Sequence, residues 1–348
     1  YILNHSEAKI LLIGDEFLHL LEQMQLNLEH VVVIGDPGES GYPSYEQWMA
    51  GQSSVDPGYP ADPDDTCYQL YTSGTTGLPK GVETTHNNLI YQLSKGLAPL
   101  EFIPSSVNLV CMPLFHISGS GWGLIGIYFG SESILLKEPD MQAILKVIPD
   151  YGITHSIFVP AVLQFLLDQP NIDEVDFSSL QRVAYGASPI SEQVLVRAIN
   201  TFKASFFQAY GLTESTGGVS LLFPEDHDPG GSRAGLLRSC GKVVSGHELK
   251  IVDSTSNEQV ADGEVGEIWI RGPQIMKGYW RNDKATAESI SEDGWFKSGD
   301  AGYLIDEYLY IHDRVKDMII SGGENIYPAE IENVLMKHSQ ISDVAVIG

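Results

Sequence analysis

Apolar residues recur in short runs along this chain, and the period of the runs changes with position. Residues 9–13 and 31–34 are compact aliphatic runs, and 17–28 between them has helical spacing, which predicts strand, helix, strand. A short helix is predicted over 45–50. Residues 51–65 hold three prolines and four acids with few apolar side chains, as a surface connection does. Residues 67–71 read as a strand entering a loop rich in glycine and threonine. Helical patterns over 141–151, 161–167 and 191–201 then alternate with strand patterns over 154–159, 182–185 and 205–208. That alternation predicts layered α/β structure around a largely parallel sheet.

After residue 241 the texture changes. Residues 248–252 and 264–271 alternate apolar and polar, as half-exposed antiparallel strands do. The runs 303–305 and 308–311 flank Asp306-Glu307 and predict a hairpin. Residues 328–337 form an amphipathic helical pattern with a proline near its start, where its missing N–H costs little. The fold class is therefore α/β: a large N-terminal part of layered α/β sheets, a small β subdomain, and the beginning of another unit after about Asp313. The chain starts at Tyr1 rather than Met, opens on a core-strand pattern and stops on another at 343–348. Buried parallel strands need neighbours on both sides. The expectation is an internal piece of a longer protein, with processing or degradation as the alternative.

Composition narrows the function. The 348 residues carry 20 Lys and Arg against 46 Asp and Glu, a formal charge of −26. Such a balance disfavours nonspecific nucleic-acid binding, which needs cations to displace counterions, and docking on anionic lipid. Three cysteines, Cys67, Cys111 and Cys240, lie far apart without metal-binding spacing and fit a reducing, cytoplasmic setting. The uncharged run 102–131 raises the question of a membrane span, but its prolines, glycines and serines predict a buried loop followed by a small-residue helix.

Four segments carry candidate chemistry. Residues 71–81 read Tyr-Thr-Ser-Gly-Thr-Thr-Gly-Leu-Pro-Lys-Gly. Gly74 and Gly77 let the backbone approach a ligand, the hydroxyls of Thr72, Ser73, Thr75 and Thr76 line the loop, and Lys80 is its one cation. It is not a Walker A loop, because Pro79 rather than Gly precedes Lys80. Residues 208–214, Gln-Ala-Tyr-Gly-Leu-Thr-Glu, follow a strand and read as a strand-to-helix turn, where α/β sheets bind ligands. There Tyr210 could stack on a base, Thr213 could donate to a phosphate and Glu214 could hold Mg²⁺. Residues 298–300, Ser-Gly-Asp, place a carboxylate able to accept two ribose hydroxyls. Residues 313–332 cluster charges before a glycine pair and a helix. Each alone also reads as an ordinary turn, helix start or linker.

Together, and in this order, these motifs resemble the adenylate-forming superfamily of acyl- and aryl-CoA ligases, luciferases and peptide-synthetase adenylation domains. The resemblance covers nearly the whole chain and is closest to an acyl-CoA ligase. It implies that a carboxylic acid is joined to AMP from ATP, with Mg²⁺, and then passed to CoA. By resemblance, Thr72–Lys80 hold the β- and γ-phosphates, and Gly186, Ala187 and Ser188 run along the adenine and acyl slot. Gln208, Ala209, Tyr210 and Gly211 meet the adenine, Thr213 the α-phosphate, Glu214 Mg²⁺, and Asp300 the ribose with Arg314 in support. His116, otherwise readable as a satisfied buried histidine, sits near the reacting carboxylate, with Trp122 and Gly186 in the acyl pocket. The implied domains are 1–313 and the start of a mobile α+β lid at 314–348, hinged at Lys316.

The family's C-terminal adenylation lysine has no counterpart before Gly348, so the chain as given is expected to adenylate poorly. The segment 114–121 has no acid to pair with an amino-acid ammonium. The helix pattern over 117–130 suits an apolar, fatty acid, with an aryl acid close behind, or else serves only as core. Arg233, Arg238 and Lys242 form an acid-free island over 229–247 that fits either a CoA phosphate or a solvated loop. Expected partners are a small carboxylic acid, ATP and CoA, with no nucleic acid, no integral span and a homodimer allowed. Alternatives are an adenylating enzyme with a carrier protein or oxygen as second-step partner, and a non-catalytic nucleotide-binding remnant.

Overall fold

The computed structural model describes residues 1–72, 77–315, 319–321, 324–326, 328–335, 341 and 344–347. They fall into two compact units, one of residues 1–65 and 71–81, the other of 66–70 and 82–348. In the first unit, β1 (Ile10–Gly14) and β2 (His30–Ile34) pair in parallel, Ile10 opposite His30. The helix between them covers only Leu18–Leu21, after a 3₁₀ turn at Asp15–Phe17, not the expected 17–28. None of its residues is buried, and a helix without tertiary cover does not propagate. Helix Tyr45–Ala50 starts on a reciprocal Ser44–Gln47 cap, matching the expected bounds.

Strands β3 (Thr66–Thr72) and β4 (Lys80–Thr85) follow. The second unit is built on β5 (Val107–Val110), β6 (Glu132–Leu135), β7 (His155–Phe158), β8 (Arg182–Gly186), β9 (Ser205–Leu212), β10 (Gly217–Leu222) and β11 (Lys242–Val243). They form one sheet in the order β11-β10-β9-β8-β7-β5-β6. Strands β6, β5, β7, β8 and β9 run parallel, and β10 and β11 add antiparallel. Both faces are covered, so neighbouring residues of one strand enter different cores. Val183, Tyr185 and Phe206 pack with helices Met141–Tyr151, Pro160–Leu167 and Glu192–Phe202. Ala184 and Phe207 pack on the other side with Leu93, Phe102, Trp122 and Ile125. Helix Ile117–Phe129 supplies that second layer. The run 102–131 also contains strand β5, where a loop was expected. No helix among the described residues is long and apolar enough to cross a membrane.

A second, four-stranded antiparallel sheet orders β12 (Glu248–Val252), β13 (Gly266–Arg271), β15 (Phe296–Ile305) and β16 (Tyr308–Arg314). β14 (Gly278–Tyr279) instead joins β4 and β3. The expected hairpin is present: Asp306 and Glu307 take φ of 51° and 69°, the paired positive values of a two-residue turn between twisted strands. Beyond it, β17 (Ile319–Ser321) and β18 (Glu324–Ile326) pair, and helix Pro328–Leu335 follows. One face of the four-stranded sheet is closed by Trp269 and Trp295, both buried. Lys250 and Lys297 flank Trp269 on the adjacent strands, with ammonium groups 4.9 and 5.1 Å from its ring.

Burial of the indole should outweigh those cation contacts. Trp269→Ala is expected to cost about 3–5 kcal/mol of stability and Lys250→Ala about 1 kcal/mol or less, read from urea midpoints by circular dichroism. Equal losses would show that the cations, not the buried ring, hold this face.

Candidate active site

The motif at 208–214 does not form a strand-to-helix turn. β9 continues to Leu212, a 3₁₀ turn spans Thr213–Ser215, and β10 returns antiparallel. Close backbone approach explains the departure. A Cβ on Gly211 would lie 1.9 Å from the Gly217 carbonyl oxygen, so only glycine lets β9 and β10 meet there. Thr216 reverses the chain at φ 55°, and its hydroxyl donates to the Gln274 carbonyl at 2.7 Å. Beside this hairpin, Gly186 ends β8 opposite Ala209, where a Cβ would lie 2.2 Å from the Ala209 carbonyl oxygen. The chain then turns out through Ala187 at φ 66°, and Ala187 and Ser188 are exposed.

Two buried carboxylates face this region. Glu214, on the 3₁₀ turn, is 9% exposed, and its Oε1 accepts from the Tyr279 hydroxyl at 2.9 Å. Its backbone carbonyl accepts from the Met276 N–H at 2.8 Å, tying the turn to the segment before β14. Among the described residues, no donor contacts its second oxygen. Asp300, on β15, is 6% exposed. The Tyr210 hydroxyl donates to its Oδ2 at 2.7 Å, and Arg314 Nε meets its Oδ1 at 2.9 Å. Arg314 is the direct cross-strand partner of Asp300 on β16, an alignment produced by a one-residue register slip between Ala301 and Gly302. Gly299, at φ 74°, donates its N–H to Glu267 Oε1 at 3.1 Å, and the Asp300 N–H donates to the Ser298 hydroxyl at 3.0 Å.

The electrostatics follow from burial. Loss of water pushes the Asp300 carboxyl above its ordinary value. Arg314 and the Tyr210 hydrogen bond oppose that shift, while the charges of Glu214 and Glu267 reinforce it. The two carboxylates therefore sense one another. Burial, then the adjacent carboxylates, raise the Tyr210 and Tyr279 hydroxyls, which stay protonated and keep donating.

Other expected site residues lie in varied settings. Gln208, half-buried, donates to Cys240 Sγ at 3.5 Å, and its Oε1 is buried without a partner. Tyr210 is only 7% exposed, its ring packed in the cluster of Val219, Ile251 and Ile268. Thr213 is half-buried. His116 is exposed, immediately before helix Ile117–Phe129 and beside the Phe115 ring, so the buried-histidine reading is corrected: no apolar layer covers it. Trp122 lies in the core against Phe102, its ring centre 5.4 Å away. In the other unit, Thr72 ends β3, Gly77 is exposed at φ 155°, and Lys80 opens β4 half-buried. Ser73, Gly74, Thr75, Thr76 and Lys316 lie outside the described residues. The cations of the 229–247 island are matched by acids from elsewhere: Arg233 with buried Asp226, Arg238 with Glu192, and Lys242 with Glu307. Sequence reasoning did not find Tyr279 or Glu267; both lie far in sequence from the groups they meet and carry no motif of their own.

No group of three or more metal-ligating side chains exists among the described residues. Glu214, with one oxygen open, still fits the way Mg²⁺ binds beside a nucleotide, through one or two carboxylates, phosphate and water.

Residues 1–280 match the family model of the AMP-binding enzymes. The fatty acid–[acyl-carrier-protein] ligase ScoC of Streptomyces coeruleorubidus is 36% identical over 355 residues, covering 100% of this chain and 66% of ScoC. 4-Coumarate–CoA ligase 2 of Nicotiana tabacum is 37% identical over 292 residues, covering 82% of this chain and 53% of that enzyme. The chain thus spans less than two thirds of the length of these relatives. Among solved structures, the anthranilate CoA ligase AuaEII in complex with anthranoyl-AMP superposes with a TM-score of 0.88 at 28% identity, over 100% of this chain and 67% of that one. Motif order, sheet topology and these matches agree, and the chain belongs to the AMP-binding enzyme family, the adenylate-forming group that its motifs resemble.

Proposed function

We propose that this chain forms the nucleotide- and acid-binding core of a carboxylate–CoA ligase that activates an apolar, fatty acid as its acyl-adenylate. The observation that carries this reading is the pair of buried carboxylates, Glu214 and Asp300, each held by a tyrosine hydroxyl. Asp300, fixed by Tyr210 and Arg314, would accept both ribose hydroxyls. The backbone at Gly186 and Ala209 would run along the adenine, as the motif resemblance implies, and the orphaned Gln208 Oε1 suits a donor on the base. Thr213 would donate to the α-phosphate. The loop 72–80, with Thr72, Ser73, Gly74, Thr75, Thr76, Gly77 and Lys80, would hold the β- and γ-phosphates.

The acid oxygen attacks the α-phosphorus, the bond to the bridging oxygen breaks, and pyrophosphate leaves. Two anions must meet for this, and unit charges 4 Å apart repel by about 4 kcal/mol at an effective dielectric of 20. Lys80 and loop amides would offset part of that repulsion. Mg²⁺ held by Glu214 would supply further charge neutralisation on the phosphates. Residues 1–313 would form the large domain and 314–348 the start of a lid turning at Lys316.

The apolar substrate is supported by helix Ile117–Phe129, which has no charged residue, and by the fatty-acid activity in the name of ScoC. The names of the coumarate and anthranilate ligases support an aryl acid next. A carrier protein as second-step acceptor is favoured by one observation. The cations at 233, 238 and 242 are already paired with acids, which makes them weaker partners for a CoA phosphate.

Asp300→Asn separates binding from stability. The folded carboxyl sits above its ordinary value of 3.8, so its contribution favours the fold at low pH and is lost as pH rises through that interval. Above that interval the protein carries the full cost of the buried charge. The variant is therefore expected to bind AMP about a hundredfold more weakly by calorimetry, from two lost charge-assisted hydrogen bonds, while its thermal midpoint is unchanged or higher. Unchanged AMP affinity contradicts the ribose assignment. Glu214→Ala is expected to lower ATP–pyrophosphate exchange in the full-length protein at least a hundredfold, with little change in acid affinity. Full exchange in that variant would remove Glu214 from the metal role.

A further inference from the structure

Gln92 lies outside every motif above, yet it is 1% exposed and polar. It opens a π-helical turn, Gln92–Gly96, that continues helix His86–Tyr91. Such turns are uncommon and cluster at functional sites. Its side chain is fixed at both ends. The amide Nε2 donates to the Gly218 carbonyl at 2.8 Å, and Oε1 lies 3.3 Å from His247 Nε2. Because Oε1 only accepts, His247 must carry its proton on Nε2. His247 is itself buried, beside the Tyr91 ring, and its Nδ1 has no partner.

What Gln92 holds is the backbone just beyond Glu214. Gly218 faces Gly211 in the hairpin, and the pairing register slips between Gly218 and Ser220. Gly217 takes φ 113°, a conformation that fixes nothing by itself. A Cβ built on Gly217 would lie 3.7 Å from Gln92 Nε2 and 4.0 Å from Ile117 Cγ1. Ile117 begins the helix assigned above to the acyl slot, directly after His116. The π-turn, the bulged strand and that helix thus meet at one point, where one buried amide holds the Gly218 carbonyl beside Gly217.

We propose that Gln92, oriented by His247, is a positioning residue that sets the Gly217–Gly218 backbone as a wall of the carboxylic-acid site. It acts on the acid side and not on the nucleotide side, where Asp300 and Glu214 are held separately by Tyr210 and Tyr279. The inference rests on the acyl slot proposed above. Removing the amide takes away the side-chain donor to the half-buried Gly218 carbonyl and lets the backbone there shift.

The test is pyrophosphate release by the full-length protein, with KM measured separately for the acid and for ATP. Gln92→Leu is expected to raise the acid KM about tenfold, the factor that one lost hydrogen bond of about 1.4 kcal/mol gives, with the ATP KM unchanged. His247→Leu should raise the acid KM by a smaller factor, and the double variant should match Gln92→Leu alone, as expected for one network. AMP-induced thermal stabilisation, which needs no turnover, should be retained in all three. If Gln92→Leu fails to fold, His247→Leu alone decides. A lowered thermal midpoint with both KM values unchanged assigns Gln92 a structural role and overturns the proposal, as does an equal rise in both. No pyrophosphate release by the unsubstituted protein with any acid defeats the ligase reading instead.

Discussion

A carboxylate stripped of water must be met by donors, and Asp300 is met by two that come from different layers of the fold. The Tyr210 hydroxyl arrives from the seven-stranded sheet and the Arg314 guanidinium from the neighbouring strand of the four-stranded sheet. That convergence ties the two sheets together through one charged group. It also leaves the group out of balance, since burial outweighs both partners and holds the carboxyl above its ordinary value. A residue kept at such a cost reads as function rather than packing. Glu214 repeats the device with Tyr279, and the glycines of the β9–β10 hairpin set how closely the strands beneath it approach.

Much of this arrangement was legible from pattern alone. Alternating runs announced the parallel sheet, and the change of period near residue 241 announced the antiparallel one, because a sheet covered on one face exposes every second side chain. The turn at Asp306-Glu307 fixes the β15–β16 register as far as Gly302 and Ile311, and a one-residue slip there brings Arg314 rather than Asp313 opposite Asp300. The motif residues were visible because they are sequential and chemically dense. Tyr279 and Gln92 were not, because each meets its partners across a long stretch of chain, Tyr279 reaching Glu214 and Gln92 reaching Gly218 and His247.

The expectations that changed did so for physical reasons. The run over 17–28 has helical spacing but no surface to bury it, so only a short helix forms. The 208–214 motif looked like a helix entrance, yet its one glycine, Gly211, lets β9 close against Gly217 of β10 instead. An uncharged histidine suggested burial, but His116 stands at an exposed helix start. The net charge of −26 seemed to oppose polyanionic ligands. The fold instead confines acids near the candidate site to a few with named donors, so bulk charge says little about what that site accepts.

The central claim is that Asp300 is the ribose acceptor of a nucleotide site framed by these hairpins. A crystal structure of the protein grown with AMP tests it most directly. The account predicts both ribose hydroxyls within hydrogen-bond distance of the Asp300 carboxylate, with Tyr210 and Arg314 still in contact with it. AMP bound elsewhere, with the Asp300 carboxylate left to its protein partners alone, would contradict it.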